Sequence, residues 1–337
     1  MPGSSKELKA GGTKPLYWVI SLALAGVLLY FSLRGIEWGR VWRILGGAQP
    51  GEIGLCCLLV TAALYLRAVR WRILLRAEGR ISIPAAFWAT SAGYFGNNFL
   101  PARAGELVRT MMVSERAKLS RMYVLTTALS ERMVDAIALV VISSCVLLLI
   151  PSKPQWLGHA AKPFAVLGFG GVLAIIVLPL LAPVWDRLLR KAPLPHGVKE
   201  RLGHLVHQVL LGIRAFHHPG RLLGFLGLTL VVWLLDTITT VVGAQSLRLD
   251  ISMPVAFLLI TGLGLGSALP STPGYVGVYQ FVAVSVLTPF GFRKDDSIAF
   301  ILLFQAIQYV VITVWGVMAF WHARGGKASG LAAGEEA

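Results

Sequence analysis

Three ionisable residues inside one apolar run are the first candidates for chemistry. Glu131, Arg132 and Asp135 lie in Met122–Ile150. Glu131 and Asp135 are four apart, so on a helix they share a face. Ionisable groups at membrane depth are costly and by default functional. As a carboxylate pair they could do acid–base work. They could equally be structural, paired with Arg103 or Arg109. Either way Arg103, Glu106, Arg109, Glu131, Arg132 and Asp135 are expected to form one charge network. Asp236 stands alone in another apolar run. Pairing with a basic residue, capping near Trp233 and a transport role all fit it.

The second candidate is a broken segment that occurs twice. Gly93–Arg109 reads GYFGNNFLPARAGELVR, and 169 residues later Gly262–Val278 reads GLGLGSALPSTPGYVGV. The two share Gly93/Gly262, Leu100/Leu269, Pro101/Pro270 and Gly105/Gly274 without a gap. Proline lacks an N–H and clashes with the preceding turn, so Pro101 and Pro270 end or kink a helix. In Ser271-Thr272-Pro273-Gly274, Thr272 suits an N-cap and Pro273 the first helical position. In the first copy a helix can restart at or just after Pro101. Each break would offer free backbone N–H groups, an anion or phosphate site in form. Asn97, Asn98 and Arg103 add polar side chains to the first copy. Head-group charge recognition is therefore assigned to the first copy, and close backbone approach to the second. Broken segments at matching positions of two halves point to a midplane site in a transporter.

The elements that must hold these residues are membrane helices. Of 337 residues, 56% are hydrophobic and 14% charged, against about 25% charged in soluble domains. Mean hydropathy is +0.71. The apolar runs are Leu16–Leu33, Ile53–Leu66, Ile83–Leu100, Met122–Ile150, Phe164–Trp185, Leu222–Leu247, Pro254–Leu269, Phe281–Phe292 and Ser297–Trp321. Residues 16–321 are read as one polytopic membrane domain. Residues 1–15 and 322–337 are read as disordered tails.

The net charge of +15 belongs to loops between apolar runs, so no nucleic-acid partner is expected. Arg67, Arg70, Arg72 and Arg76 follow one run and are read as snorkelling to the surface. Residues 34–52 are a loop with Trp38 and Trp42 at the interface. His196, His204, His207, His217 and His218 fall in the polar stretch 186–221, read as a solvated surface carrying a short amphipathic helix. Cys56, Cys57 and Cys145 are read as packing residues. No metal site, cofactor or nucleotide loop is expected.

Loop charge gives an orientation. With the N-terminus inside and both broken segments re-entrant, segments 1–15, 67–80, 101–121, 186–221 and 322–337 hold 22 Lys/Arg on the cytoplasmic side. Segments 34–52, 151–163, 248–253 and 293–296 hold 8 on the other. The fold expected is an all-α integral membrane protein with six full crossings and two re-entrant segments. Three crossings separate the broken segments, so they enter from opposite sides, as in an inverted repeat. Both termini are expected in the cytoplasm, in a bacterial inner membrane.

The segments NNFLPARAGELVR, SERMVDA and LPSTPGYVGVYQ, with Arg70-Trp71, resemble the lysylphosphatidylglycerol synthase transmembrane (flippase-like domain) family over residues 16–321. That resemblance implies an eight-segment helical fold with re-entrant helices and a role in moving or handling an anionic lipid. By motif match, Pro101, Arg103, Gly105, Glu106, Arg109, Glu131, Arg132 and Asp135 take the family's polar positions in the first half. Pro270, Thr272, Pro273, Gly274 and Gly277 take those in the second. Gln280 stands where the family often has glutamate. Synthase members carry a soluble aminoacyl-transfer domain after the membrane part, whereas this chain ends at Ala337. It is not expected to make lysyl-phosphatidylglycerol.

Three functions compete. A lipid translocase for an anionic phospholipid or polyisoprenyl-phosphate-type lipid would bind its head group with Asn97, Asn98, Arg103, the carboxylates and the residues from Pro270 to Gly274, Ser271 included. An intramembrane enzyme acting on a lipid head group would need Glu131 and Asp135 as acid and base. A non-transporting subunit would dock a cell-envelope enzyme or a second copy of itself.

Overall fold

The computed structural model describes residues 13–100, 104–150, 218–267 and 272–332, with isolated positions between 163 and 173. Among the described residues every regular element is helical. The helices are α1 (Thr13–Leu33), α2 (Trp38–Gly46), α3 (Pro50–Leu75), α4 (Ile83–Phe99), α5 (Gly105–Ala117), α6 (Arg121–Leu149), α7 (Pro219–Ser246), α8 (Met253–Gly266), α9 (Val278–Leu287) and α10 (Lys294–Ala332). The stretch 34–52, expected as a loop, contains α2. Trp38 and Trp42 stand on its exposed face and Val41 on its buried one. Helix α10 runs past residue 321, where hydropathy had placed its end.

Three helices, Pro50–Leu75, Pro219–Ser246 and Lys294–Ala323, are long and apolar enough to cross a membrane. The α1–α2 pair, bent by 86°, makes a fourth if taken as one span. That count covers the described residues; the expected span 164–185 and most of 186–221 lie outside them. Helix α7 shows why these helices suit lipid. Leu223, Leu226, Leu230 and Leu234 are exposed along one side. Thr229, Thr237 and Thr240 are buried on the other, each hydroxyl donating to the carbonyl four residues back. Polar groups turn inward and leucines outward, as a hydrocarbon solvent favours.

Helix α3 begins with Pro50 at its first position, where a missing N–H costs nothing. No proline follows until Pro84, so α3 continues through Arg67, Arg70 and Arg72. It packs along α7, and the pairing is antiparallel: Cys56 Sγ reaches Thr239 O, while the Arg70 guanidinium stacks over Phe225. Phe225 is 169 residues beyond Cys56, and Thr239 is 169 beyond Arg70. The two contacts interchange when the halves are exchanged, as a two-fold relation between α3 and α7 requires.

The broken segments form helical hairpins. Gly93 and Gly96 of α4 face Arg109 and Gly105 of α5; Gly262 and Gly266 of α8 face Val282 and Val278 of α9. The arms of the first hairpin, 17 and 13 residues, measure about 25 and 20 Å. Each is shorter than a hydrocarbon core of about 30 Å. Each hairpin also leans on the last helix of the other half: α4 on α10, and α8 on α6.

Candidate functional site

The helix restarts differ from the sequence reading. In the first copy α5 starts at Gly105, with Ala104 at the cap position. In the second, Thr272 caps no backbone N–H; its hydroxyl donates to Val276 O at 3.1 Å. Pro273 and Gly274 are the corners of a type II turn, closed by Tyr275 N–H on Thr272 O at 3.0 Å. Gly274 has φ +78° and ψ 9°, the glycine-favouring corner of that turn. The α-helix starts later, at Val278. Pro-Gly is a turn signal, and here the turn prevailed over the cap. Pro101, Arg103, Pro270 and Ser271 lie outside the described residues.

A chain of amides fastens this turn. Gly277 N–H donates to Gln280 Oε1 at 2.7 Å, Gln280 Nε2 to Gln305 Oε1 at 2.7 Å, and Gln305 Nε2 to Gly274 O at 3.0 Å. A backbone donor at one end and a backbone acceptor at the other fix both amide orientations. A carboxylate at position 280 has no N–H to donate to Gln305. That is the physical sense of glutamine there.

Five of the six residues expected in one charge network are described, and they assemble around an unexpected centre. Glu106, Arg109, Glu131, Arg132 and Asp135 come together around Arg70. Arg70 is 0% exposed, so the snorkelling assignment is wrong for it. It donates to Asp135 at 2.6 and 2.8 Å, to Glu131 at 2.8 Å and to Thr229 at 3.1 Å. Arg109, stacked over Trp71, donates to the other Glu131 oxygen at 2.9 Å. Arg132 donates to Glu106 at 3.1 Å and approaches Asp135 at 3.9 Å. Asn97 donates to Glu106 at 3.4 Å. Arg72, also assigned to the surface, donates to Ile81 O. Arg67 pairs with Asp236, which resolves the lone acid of α7. These two residues are themselves 169 apart. Among the described residues of the cluster, four arginines meet four carboxylates.

Beside this network lies a cavity of about 200 Å³. The first hairpin contributes Tyr94, Asn97 and Asn98; the second contributes Ser267, Gly274 and Tyr275. Five pairs related by the 169-residue spacing line it: Leu64/Trp233, Arg67/Asp236, Tyr94/Leu263, Asn98/Ser267 and Asp135/Phe304. The two halves therefore build one site between them. Arg132 and Asp135 reach its wall, whereas Arg109 and Glu131, each 1% exposed, stay behind it. Gly105 serves the hairpin contact instead. A second hollow, apolar and aromatic, of about 540 Å³, is lined by α3, α4 and α10 through Tyr65, Phe87, Trp88 and Trp315. The same three helices also contribute to the cavity wall.

The family profile of the lysylphosphatidylglycerol synthase TM region matches residues 18–316. The chain belongs to this family. It is 25% identical over 331 residues to the glycosyltransferase AglD of Haloferax volcanii, covering 88% of this chain and 52% of that protein. It thus spans about half the length of that relative. It is 23% identical over 324 residues to a UPF0104 membrane protein of Methanothermobacter thermautotrophicus, covering 89% of this chain and 92% of the relative.

Sequence reading missed Arg67, Arg70 and the tyrosines of the cavity. A signal existed for the first: Asp236 falls 169 residues after Arg67, the same spacing as the breaks.

Proposed function

We propose that this chain is a flippase-like lipid translocase, with the cavity receiving the head group of a phosphate-bearing lipid. The observation that carries the reading is a partly open cavity with charged, amide and hydroxyl-bearing residues in its wall, built by both halves, inside a bundle whose outer faces are leucine-rich. The aromatic hollow on the same three helices offers hydrocarbon a place beside the polar site. Glu131 and Asp135 are held by arginines, which speaks against their serving as acid and base. What remains in favour of the enzyme reading is the similarity to the glycosyltransferase AglD.

In this reading the hairpins are re-entrant and enter from opposite faces, with both termini cytoplasmic in a bacterial inner membrane. The short arms and the antiparallel α3–α7 pair support that arrangement. Single cysteines at Ala104 and Pro273, in a cysteine-free background, are expected to react with impermeant reagents from opposite sides. Reaction of both from one side would reject the inverted arrangement.

Transfer is tested in liposomes carrying a fluorescent anionic lipid, with dithionite to bleach the outer leaflet. The wild-type protein is expected to expose inner-leaflet lipid to bleaching. Asp236→Asn unbalances the Arg67 pair at the cavity wall and is expected to slow transfer about tenfold, equivalent to about 1.4 kcal/mol. Wild-type liposomes that bleach no further than protein-free ones would reject transfer of that lipid.

A further inference from the structure

We infer that the head group this cavity accepts is a neutral, hydroxyl-bearing ring of sugar type. This deepens, and rests on, the reading of the cavity as a lipid head-group site. Three observations point the same way.

The first is charge. Among the described residues, the cavity wall carries Arg67 and Arg132 against Asp135 and Asp236. Arg67 is paired with Asp236, and Arg132 with Glu106. A bare anion entering here would have to break an existing pair and leave a carboxylate uncompensated in a low-dielectric site. A bare cation meets the mirror-image problem. A neutral polar group disturbs neither pair.

The second is the lining chemistry. Asn98, Gln308, Ser267 and Tyr309, residues with amide and hydroxyl groups, line the cavity. Amides and hydroxyls both donate and accept, which matches a ligand whose hydroxyls do the same. Trp233 lines the cavity, and its indole N–H is buried without a hydrogen-bond partner. Asn97 lines it too; its side-chain oxygen is likewise buried without a partner, beside the restart of α5. Buried polar atoms left unpaired cost about 1–3 kcal/mol each, so this donor and this acceptor favour an occupant that both accepts and donates hydrogen bonds.

The third is shape. Tyr275 and Tyr279, both in the wall, stack with centroids 5.0 Å apart and planes within 10°. Aromatic faces carry a negative quadrupole, which suits the weakly positive C–H face of a saturated ring. An acyclic polyol such as glycerol has no ring face to offer. The volume, about 200 Å³, equals that of about seven waters, enough for one compact ring.

The test uses the full-length protein in lipid nanodiscs and equilibrium binding of four probes. Three share one isoprenoid chain: its glucosyl phosphate, its bare phosphate and its free alcohol. The fourth is phosphatidylglycerol. The glucosyl phosphate is expected to bind about tenfold or more tightly than the others, because a site built around hydroxyls discriminates against ligands lacking them. Asn98→Leu and Gln308→Leu are each expected to erase most of that preference at unchanged thermal stability. Equal affinity for the glucosyl phosphate and the bare phosphate overturns the inference, as does equal affinity for phosphatidylglycerol. Absence of binding by all four overturns it together with the head-group reading of the cavity. Preferential glucosyl-phosphate binding without transfer across the bilayer upholds this inference and rejects translocation alone.

Discussion

Arg70→Leu is expected to abolish recovery of folded protein, or to lower its thermal stability more than any other single charge substitution in the cluster. The guanidinium makes four hydrogen bonds at 2.6–3.1 Å to Asp135, Glu131 and Thr229, with no solvent access. Without it Glu131 retains Arg109, but Asp135 is left with Arg132 at 3.9 Å. The cluster then holds one buried negative charge too many. Removing one partner of a buried pair costs about 3–5 kcal/mol, a large share of the roughly 5–15 kcal/mol that holds a domain folded. Arg70→Lys is expected to recover only part of this, because an ammonium cannot fork between two carboxylates.

The instructive comparison is Arg70→Leu combined with Asp135→Leu. The remaining Arg109, Arg132, Glu106 and Glu131 balance again, and replacing a buried pair by apolar groups is often neutral. The double variant should therefore be more stable than Arg70→Leu alone, read by size-exclusion yield and melting temperature. A coupling of about 0.5–3 kcal/mol is the usual range for contacting residues. If Arg70→Leu melts with the wild type, the network is not what holds α3, α6 and α7 together.

What the sequence disclosed depended on spacing. The 169-residue echo was visible because proline and glycine mark breaks in any apolar run. The charges of α5 and α6 could be grouped because residues near a break on one side fall near the next helix. Arg70 was hidden by its neighbours: in RAVRWRILLR it reads as one of several arginines at the polar end of a span. Only the uninterrupted course of α3 to Leu75 turns it inward while Arg76 ends the helix. The cavity's tyrosines were hidden for another reason. Tyr94, the Tyr275/Tyr279 pair and Tyr309 come from three separate stretches, and only tertiary packing sets them around one space. The turn at Pro273-Gly274 was misassigned because Thr-Pro suits a helix start as well as it suits a type II turn. The breaks at Pro101–Arg103 and at residues 268–271 fall outside the described residues, as do the histidines of 196–217.

Gly105→Ala should be the most damaging change that adds a single carbon. A Cβ on Gly105 would run into the carbonyl oxygen of Gly93 and fall 2.5 Å from the backbone nitrogen of Asn97 and 2.6 Å from its side-chain oxygen. Two of these three obstacles are backbone, so no rotamer change relieves the clash. The arms of the α4–α5 hairpin must part. Overpacking a rigid contact typically costs about 1–3 kcal/mol and occasionally more. Here the displacement starts beside Glu106, which holds Arg132 and Asn97, so the charge cluster and the cavity wall are disturbed with it. The matched control is Gly54→Ala in α3, where an added Cβ meets nothing within 4 Å. Inside a helix that substitution is worth up to about 1 kcal/mol in favour of folding. The two variants add the same methyl group to a helix and should move the melting temperature in opposite directions. Equal melting temperatures would mean that the hairpin arms are not in backbone contact at Gly105, and the cavity would then lose its wall on that side.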